Sequence, residues 1–226
     1  MDSLPISAIA DQYAWLYTSL PAPDNTWDKI IPTDGAYVAV KNVAGTDYVM
    51  FRGSTTFLDW IEDFAAFAIP LETDALGGVH PGFYSGTIAV RTVLDRFLGP
   101  KVVLVGHSLG AGHAALYAGL RLAAGKPVDK LIMFGEPRAG GAKLASVLTP
   151  LAVESYRNAD SNGHDLVTDV PVKIQPLLNY QHPRELIDVS HSPSVNDKWG
   201  LFRYHHMGHY ARALGATGPA ALSLPV

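Results

Sequence analysis

The stretch "KVVLVGHSLGAGHAALYAGLRLAAG", Lys101 to Gly125, decides the fold of this chain. It begins with "KVVLV", a short apolar run typical of a strand that is buried on both faces of a parallel sheet. The turn "GHSLG" follows, and then a helix that ends at Gly125. A second buried strand, "DKLIMFG", comes next. This order predicts a βαβ unit and an α/β fold with a mostly parallel central sheet flanked by helices.

The segments on either side of this unit extend the same pattern. We interpret "LETDALGGVHPG" as a loop, and the helix that starts at Phe83 as closed by Gly99. No internal repeat or linker separates the segments, so the sequence predicts one domain over residues 1–226. The remaining predicted elements are a helix in Ile6 to Ser19, a hairpin of "AYVAVKN" and "DYVMFRG", a helix in "TTFLDWIEDFAAFA", strands at "LAVESYRN" and "ELIDVS", and a final helix over Met207 to Leu214.

The composition is that of an ordinary globular protein, with 48% apolar and 17% charged residues in 226. A net charge of -4 with scattered basic residues does not favour a nucleic-acid partner. The absence of cysteine excludes disulfides and thiolate metal sites. There is neither a run of about 18 apolar residues nor a basic and apolar leader. We therefore expect a soluble chain without a transmembrane segment, either cytoplasmic or exported by another route, and leave its oligomeric state open.

The turn "GHSLG", Gly106 to Gly110, matches the pattern G-x-S-x-G, in the context that this pattern requires. A serine on a sharp turn from strand to helix exposes its Oγ above the sheet, so Ser108 is the candidate nucleophile. The backbone N–H of Leu109 then lies at a helix N-terminus and can stabilise an oxyanion. His107 and His113 are interpreted as structural, because the catalytic base of such a fold usually comes from late in the chain.

Five motifs follow one another along the chain: "VMFRGST" (Val49 to Thr55), "HPGFYSG" (His80 to Gly86), "GHSLGAG" (Gly106 to Gly112), "FGEPRAGG" (Phe134 to Gly141) and "NGHDLVTDVP" (Asn162 to Pro171). In this order they resemble the class 3 lipase family, which contains fungal triacylglycerol lipases and their plant and bacterial relatives. The resemblance covers roughly Ala36 to Leu214, and it implies an α/β-hydrolase fold with a Ser-Asp-His triad.

The resemblance also implies an oxyanion donor and a lid helix early in the chain. Ser54 follows the glycine of "FRGS" and would donate its backbone N–H to the oxyanion, although it could also cap the helix after it. Asp63 matches an acid that hydrogen-bonds this donor residue in the family. The lid aromatics would be Trp60, Phe64 and Phe67, with a surface helix packed on the core as the alternative.

The same resemblance selects the triad acid among the aspartates that follow the Ser108 helix. "HDLVTDVP" places Asp165 at the position of the acid in the family. Asp160 is interpreted as a turn residue at a strand end, and Asp169 as a capping residue of the loop. His164 is adjacent to Asp165 in sequence, which does not place its ring beside the carboxylate.

Three histidines, His205, His206 and His209, compete for the role of base near the C-terminus. The late motif of the family has a branched residue or Met at plus two and often an aromatic residue at plus five, which favours His205 and leaves His206 as the alternative. His209 would then lie on the surface of the last helix. A metal site is disfavoured, because the H-E-x-x-H arrangement needs a glutamate where His206 stands.

These residues together predict a carboxylic ester hydrolase that forms an acyl-enzyme on Ser108 and needs no metal or cofactor. The expected substrate is an acyl ester or lipid, with transient contact at a lipid interface. Three alternatives stay open at this point. The same triad could serve an acyltransferase or a phospholipase, and the fold could also persist in a binding protein without turnover.

Overall fold

The computed structural model describes residues 4–33, 35–53, 69–172, 178–193 and 200–224. Two short 3₁₀ helices, Leu166–Asp169 and Gly200–His205, lie in its C-terminal half. The α-helices are α1 (Ile6–Ala14), α2 (Pro81–Leu94), α3 (Leu109–Ala123), α4 (Ala142–Val147), α5 (Met207–Ala213) and α6 (Pro219–Ser223). The strands are β1 (Lys29–Thr33), β2 (Ala36–Val43), β3 (Thr46–Arg52), β4 (Leu71–Thr73), β5 (Gly77–Val79), β6 (Val102–His107), β7 (Lys130–Phe134), β8 (Ala152–Asp160), β9 (Gly163–His164) and β10 (Ile187–Val189).

The main sheet has the strand order β1-β2-β3-β6-β7-β8-β10, and β9 pairs with β8. Strand β2 is antiparallel to both of its neighbours, β1 and β3. The strands β3, β6, β7, β8 and β10 are parallel to one another. This is the predicted α/β architecture with a mostly parallel centre.

Strand β6 lies at the centre of the sheet and is buried over its whole length, as its apolar sequence predicts. Its successive side chains enter two different cores. Leu104 packs with α2 and α3 on one face, whereas Val105 packs with α1 and α5 on the other. The helices on both faces therefore fix the position of the turn that follows β6.

The βαβ unit, the β2–β3 hairpin and the C-terminal helix α5 are confirmed. The interpretation of "LETDALGGVHPG" as a loop is wrong, because β4 and β5 form a small antiparallel pair within it. Strands of three residues are too short to show an alternating pattern, so no sequence pattern indicates this pair. Helix α2 ends at Leu94 rather than near Gly99, and α1 ends at Ala14.

The oxyanion residue Ser54 and the lid residues Trp60, Asp63, Phe64 and Phe67 lie outside the described residues. The roles assigned to them from the sequence stay predictions. Within the described ranges, no helix combines the length and apolar character that crossing a bilayer would demand.

Candidate active site

Ser108 occupies the turn between β6 and α3 in a strained backbone conformation, with φ 58° and ψ −133°. A positive φ is uncommon outside glycine, and it is the geometry expected of a nucleophile on a sharp turn from strand to helix. The backbone N–H of Ser108 donates to the Phe134 carbonyl at 3.0 Å, which ties the turn to the end of β7. Its Oγ is buried and makes no hydrogen bond within the described part of the chain.

The backbone around this turn is packed closely against the end of β3. A Cβ on Gly110 would lie 1.9 Å from the Phe51 carbonyl oxygen, so only glycine fits there. A Cβ on Gly53 would lie 2.8 Å from Cβ of Ser108, which shows how near the end of β3 comes to the serine. Leu109 is the first residue of α3, where a backbone N–H has no partner within the helix. Its N–H therefore lies beside Ser108 and is available to an oxyanion.

Asp165 and His205 are 40 positions apart in the chain, and their side chains meet in a buried hydrogen bond of 2.6 Å between Oδ2 and Nδ1. His205 is the last residue of the second 3₁₀ helix, immediately before α5. Asp165 caps the first 3₁₀ helix by accepting the Val167 N–H at 2.9 Å. The bond between Nδ1 and the carboxylate fixes the orientation of the His205 ring, which is the arrangement of a base oriented by an acid.

The carboxylate of Asp165 is fully buried and surrounded by donors. Burial alone would raise the pKa of Asp165. The positive charge of His205 and the hydrogen bonds from His205, Tyr210 and Val167 outweigh this effect and hold the pKa below its usual value. The Tyr210 hydroxyl donates to the same oxygen as His205. Asp165 is therefore kept ionised, as a group that stabilises an imidazolium must be.

Gly135 lies next to the Asp165–His205 pair and also next to the residue that binds the Ser108 backbone. It directly follows Phe134, whose carbonyl accepts the Ser108 N–H, and it has φ +54°. A Cβ at Gly135 would lie 2.5 Å from Oδ2 of Asp165 and 2.8 Å from Nδ1 of His205. The ends of β6 and β7 thus bring the serine and the Asp165–His205 pair to the same edge of the sheet.

The other late histidines have different surroundings. His206 is the N-cap of α5, and its ring packs edge-on at 6.0 Å from that of His209. The prediction that His209 lies on the helix surface is wrong, because its side chain is fully buried and its Nδ1 shares a hydrogen bond of 2.9 Å with Nδ1 of His191. Helix α5 packs against both α1 and α6, so this short helix is covered by neighbouring elements rather than exposed to solvent. The described residues contain no group of three or more His, Asp or Glu side chains suited to a metal.

The competing acids and three other histidines, His164, His113 and His80, make contacts with different partners. Asp160 ends β8 and accepts from Tyr204 and Ser192, whereas Asp169 pairs with His164 at 2.8 Å. The two ring nitrogens of His113 lie 3.0 and 3.1 Å from the carbonyl oxygens of Phe83 and Gly35, and His80 caps α2. The contacts of Asp160 and His113 are structural, in agreement with the interpretation from the sequence.

His107 was interpreted only as structural, and the structure places it directly beside His205. The two imidazole rings are stacked with centroids 4.7 Å apart. Nε2 of His107 lies 2.8 Å from the backbone carbonyl of His205, and Nδ1 lies 3.0 Å from the Tyr17 hydroxyl. Neither contact has a sequence signal, because the partners are 98 and 90 positions away.

A cavity of about 240 Å³ opens next to the serine turn. Gly53 and Leu109 line this cavity. Leu109 follows Ser108 in the chain, and Gly53 is packed against the serine turn. The guanidinium of Arg52 stacks on the Tyr37 ring at 4.1 Å and forms another wall. The described lining consists of Thr33, Gly35, Ala36, Tyr37, Arg52, Gly53 and Leu109.

This mostly parallel sheet, with a strained serine at a strand end and a buried carboxylate–imidazole pair at the same edge, is an α/β-hydrolase fold. The chain matches the model of the lipase (class 3) family over residues 48–175. It therefore belongs to the class 3 lipase family.

Individual relatives agree with this assignment. A lipase of Rhizomucor miehei is 32% identical over 161 residues, which are 65% of this chain and 43% of that protein. Toxin TseL of Vibrio cholerae is 31% identical over 182 residues, which are 75% of this chain and 26% of the toxin. The chain thus spans less than half the length of these curated relatives. Among solved structures, the Rhizomucor miehei lipase propeptide complex has a TM-score of 0.57 at 25% identity, covering 81% of this chain and 65% of that one.

Proposed function

We propose that this protein is a carboxylic ester hydrolase that acts on acyl esters through Ser108, Asp165 and His205. The observation that carries the proposal is the buried 2.6 Å bond between Asp165 and His205, at the sheet edge where the strained Ser108 stands. A serine becomes nucleophilic when a base oriented by a third group accepts its proton, and the orientation of His205 by Asp165 supports this role for His205. Family membership supports the same reaction class.

The proposed reaction has two steps, acylation of Ser108 and hydrolysis of the acyl-serine. Nε2 of His205 takes the Oγ proton as Oγ of Ser108 bonds to the ester carbonyl carbon, and the carbonyl oxygen becomes an oxyanion. The imidazolium then returns the proton to the alkoxy oxygen as the C–O bond breaks, which releases the alcohol and leaves an acyl-serine. Water repeats the cycle with His205 as base, and it releases the carboxylic acid and free Ser108.

The oxyanion would be held by two backbone N–H groups, those of Leu109 and Ser54. Leu109 begins α3 beside the serine. Ser54 is proposed because it follows Gly53, where an added Cβ would lie 2.8 Å from Cβ of Ser108. The cavity lined by Gly53, Leu109 and Tyr37 would accept part of the substrate. The lid roles of Trp60, Asp63, Phe64 and Phe67 follow from the family resemblance alone.

Covalent labelling tests the reaction class directly. We expect a fluorophosphonate probe to label the wild-type protein and not Ser108→Ala. Ser85→Ala is the matched control, because Ser85 is an exposed serine on α2 that bonds only the Gly82 carbonyl within the described contacts, and it should leave labelling intact. Labelling that survives Ser108→Ala would refute Ser108 as the nucleophile.

The substrate is then defined by a chain-length series of p-nitrophenyl esters, measured with and without a lipid interface. A lipase is expected to prefer long chains and to gain activity at the interface, whereas an esterase prefers acetate or butyrate without activation. Adding an alcohol and analysing the products separates hydrolysis from acyl transfer, and a glycerophospholipid substrate tests the phospholipase alternative. A fully folded protein that turns over none of these esters would support the binding-protein alternative.

A further inference from the structure

A continuous line of hydrogen bonds runs from the end of β3 to the backbone of His205, through a tyrosine near the N-terminus. We call β3 the oxyanion strand, because the predicted oxyanion donor Ser54 follows it in the chain. Gly53 donates its N–H to the Tyr17 hydroxyl oxygen at 2.6 Å. The Tyr17 hydroxyl lies 3.0 Å from Nδ1 of His107, and Nε2 of His107 lies 2.8 Å from the His205 carbonyl oxygen. The line thus begins beside the predicted oxyanion donor and ends at the proposed base.

The direction of every bond in this line is determined by chemistry. A backbone carbonyl can only accept, so Nε2 of His107 carries the proton. Burial, followed by the neighbouring positive charge of His205, lowers the pKa of His107 to about 3, so the ring is neutral and its Nδ1 is an acceptor. The Tyr17 hydroxyl must then donate to Nδ1, which leaves its oxygen to accept the Gly53 N–H. Every donor in the line has one acceptor.

The neutral state of His107 also matters for the charge at His205. The two rings are stacked at 4.7 Å, so a proton on His107 would place a second positive charge against the imidazolium that forms during catalysis. Tyr17 remains protonated as well, because burial raises its pKa to about 12. The line therefore fixes geometry without adding charge at the site.

We propose that Tyr17 and His107 are positioning residues, which hold the oxyanion strand and the backbone of the base in register with Ser108. This inference rests on the proposed function. Tyr17 follows α1, outside the 48–175 segment that the family model matches, so the N-terminal segment becomes part of the machinery that sets turnover. Neighbouring Tyr13 donates its hydroxyl to the Phe51 carbonyl, so two tyrosines of this segment brace the end of β3.

The test is Tyr17→Phe, which keeps the ring that packs at 5.3 Å from His107 and removes only the hydroxyl. The matched control is Tyr48→Phe, because the buried Tyr48 hydroxyl also accepts a backbone N–H, that of Leu4, away from the active site. We expect kcat for a p-nitrophenyl ester to fall about 10-fold in Tyr17→Phe with KM little changed, since small misplacements of reacting groups reduce turnover. Tyr48→Phe should keep the wild-type kcat, measured at a temperature where all variants are folded.

A second variant keeps the inference testable if Tyr17→Phe does not fold. His107→Gln retains a donor toward the His205 carbonyl but no imidazole, and we expect it to lower kcat and to shift the NMR signal of the Nδ1 proton that His205 shares with Asp165. Unchanged kcat and an unchanged proton signal in a folded variant would overturn the inference. Failure of the proposed function is distinct, since the wild-type protein itself would then neither hydrolyse the ester nor react with a fluorophosphonate at Ser108.

Discussion

The Tyr210 hydroxyl and Nδ1 of His205 donate to the same carboxylate oxygen of Asp165. Tyr210 is also the acceptor for the Asn158 N–H at 3.1 Å, so one phenol joins β8 to the proposed triad acid. Burial, and then the Asp165 charge, raise the pKa of Tyr210 well above its ordinary value, and the hydroxyl therefore remains a donor. The orientation of the Asp165 carboxylate thus depends on Tyr210 in helix α5.

Tyr210→Phe should destabilise the protein in a pH-dependent way. The depressed pKa of Asp165 contributes stability above its unfolded value of about 3.9, and this stability is lost as the pH falls through the folded pKa. Removing a donor raises the folded pKa and reduces this contribution. It also leaves the Asn158 N–H without an acceptor, at a cost of about 1–3 kcal/mol. Urea unfolding from pH 7 to pH 3 should show a difference from wild type that is largest above about pH 4.

Tyr156→Phe is the control for this experiment, because it also removes a tyrosine hydroxyl that donates to a carboxylate, that of Glu154 rather than Asp165. We expect a smaller loss, since Glu154 is partly exposed to solvent. A Tyr210→Phe difference that stays constant from pH 7 to pH 3 would contradict the role assigned to Tyr210.

Single substitutions of the adjacent histidines test which one is the base. His205→Ala removes the ring that meets Asp165 and should lower kcat on the order of 10³-fold or more. His206→Ala removes the N-cap residue of α5, whose side chain makes no capping hydrogen bond, and should change kcat less than about 10-fold. Steady-state kinetics on a soluble ester give the comparison, and a larger loss in His206→Ala would reverse the assignment.

Gly135→Ala should be inactive even if it folds. The new Cβ would lie 2.5 Å from Oδ2 of Asp165, so the acid and the base must move apart or away from the serine. A displacement of about 1 Å is enough to cost about 10²-fold in turnover. The control is Gly125→Ala, which also has a positive φ of +69° but no atom within 4 Å of the added Cβ. It should cost only the backbone strain, about 1–2 kcal/mol, and retain wild-type kcat.

His113 should make the protein less stable in mild acid. Burial lowers the pKa of its ring to about 4, between the carbonyls of Phe83 and Gly35. The unfolded chain takes up this proton near pH 6.5, so the stability present above that pH is lost as the pH falls toward about 4, by roughly 3 kcal/mol. Chemical denaturation across this window should give a flatter profile for His113→Gln. Equal slopes in the two proteins would show that His113 does not titrate in this way.

The local parts of the site could be predicted from the sequence, because their information is contiguous. Strand, turn and helix around Ser108 follow one another directly, and each is encoded by its own apolar pattern and glycines. Asp165 and His205 were selected by motif matches to a family, and the structure brings them together across 40 positions. The misjudged residue, His209, shows the limit of this approach, because its burial depends on packing against distant elements.

Contiguous patterns in the chain are enough to predict the α/β class, the serine turn and a short list of candidates for acid and base. Three features follow from the folded arrangement alone: His205 rather than His206 meets Asp165, Gly135 has no room for a side chain, and Tyr17 and His107 reach the base. The physical reason is that hydrophobic periodicity is a local property, whereas a hydrogen bond between residues 98 positions apart exists only after the sheet has set their register.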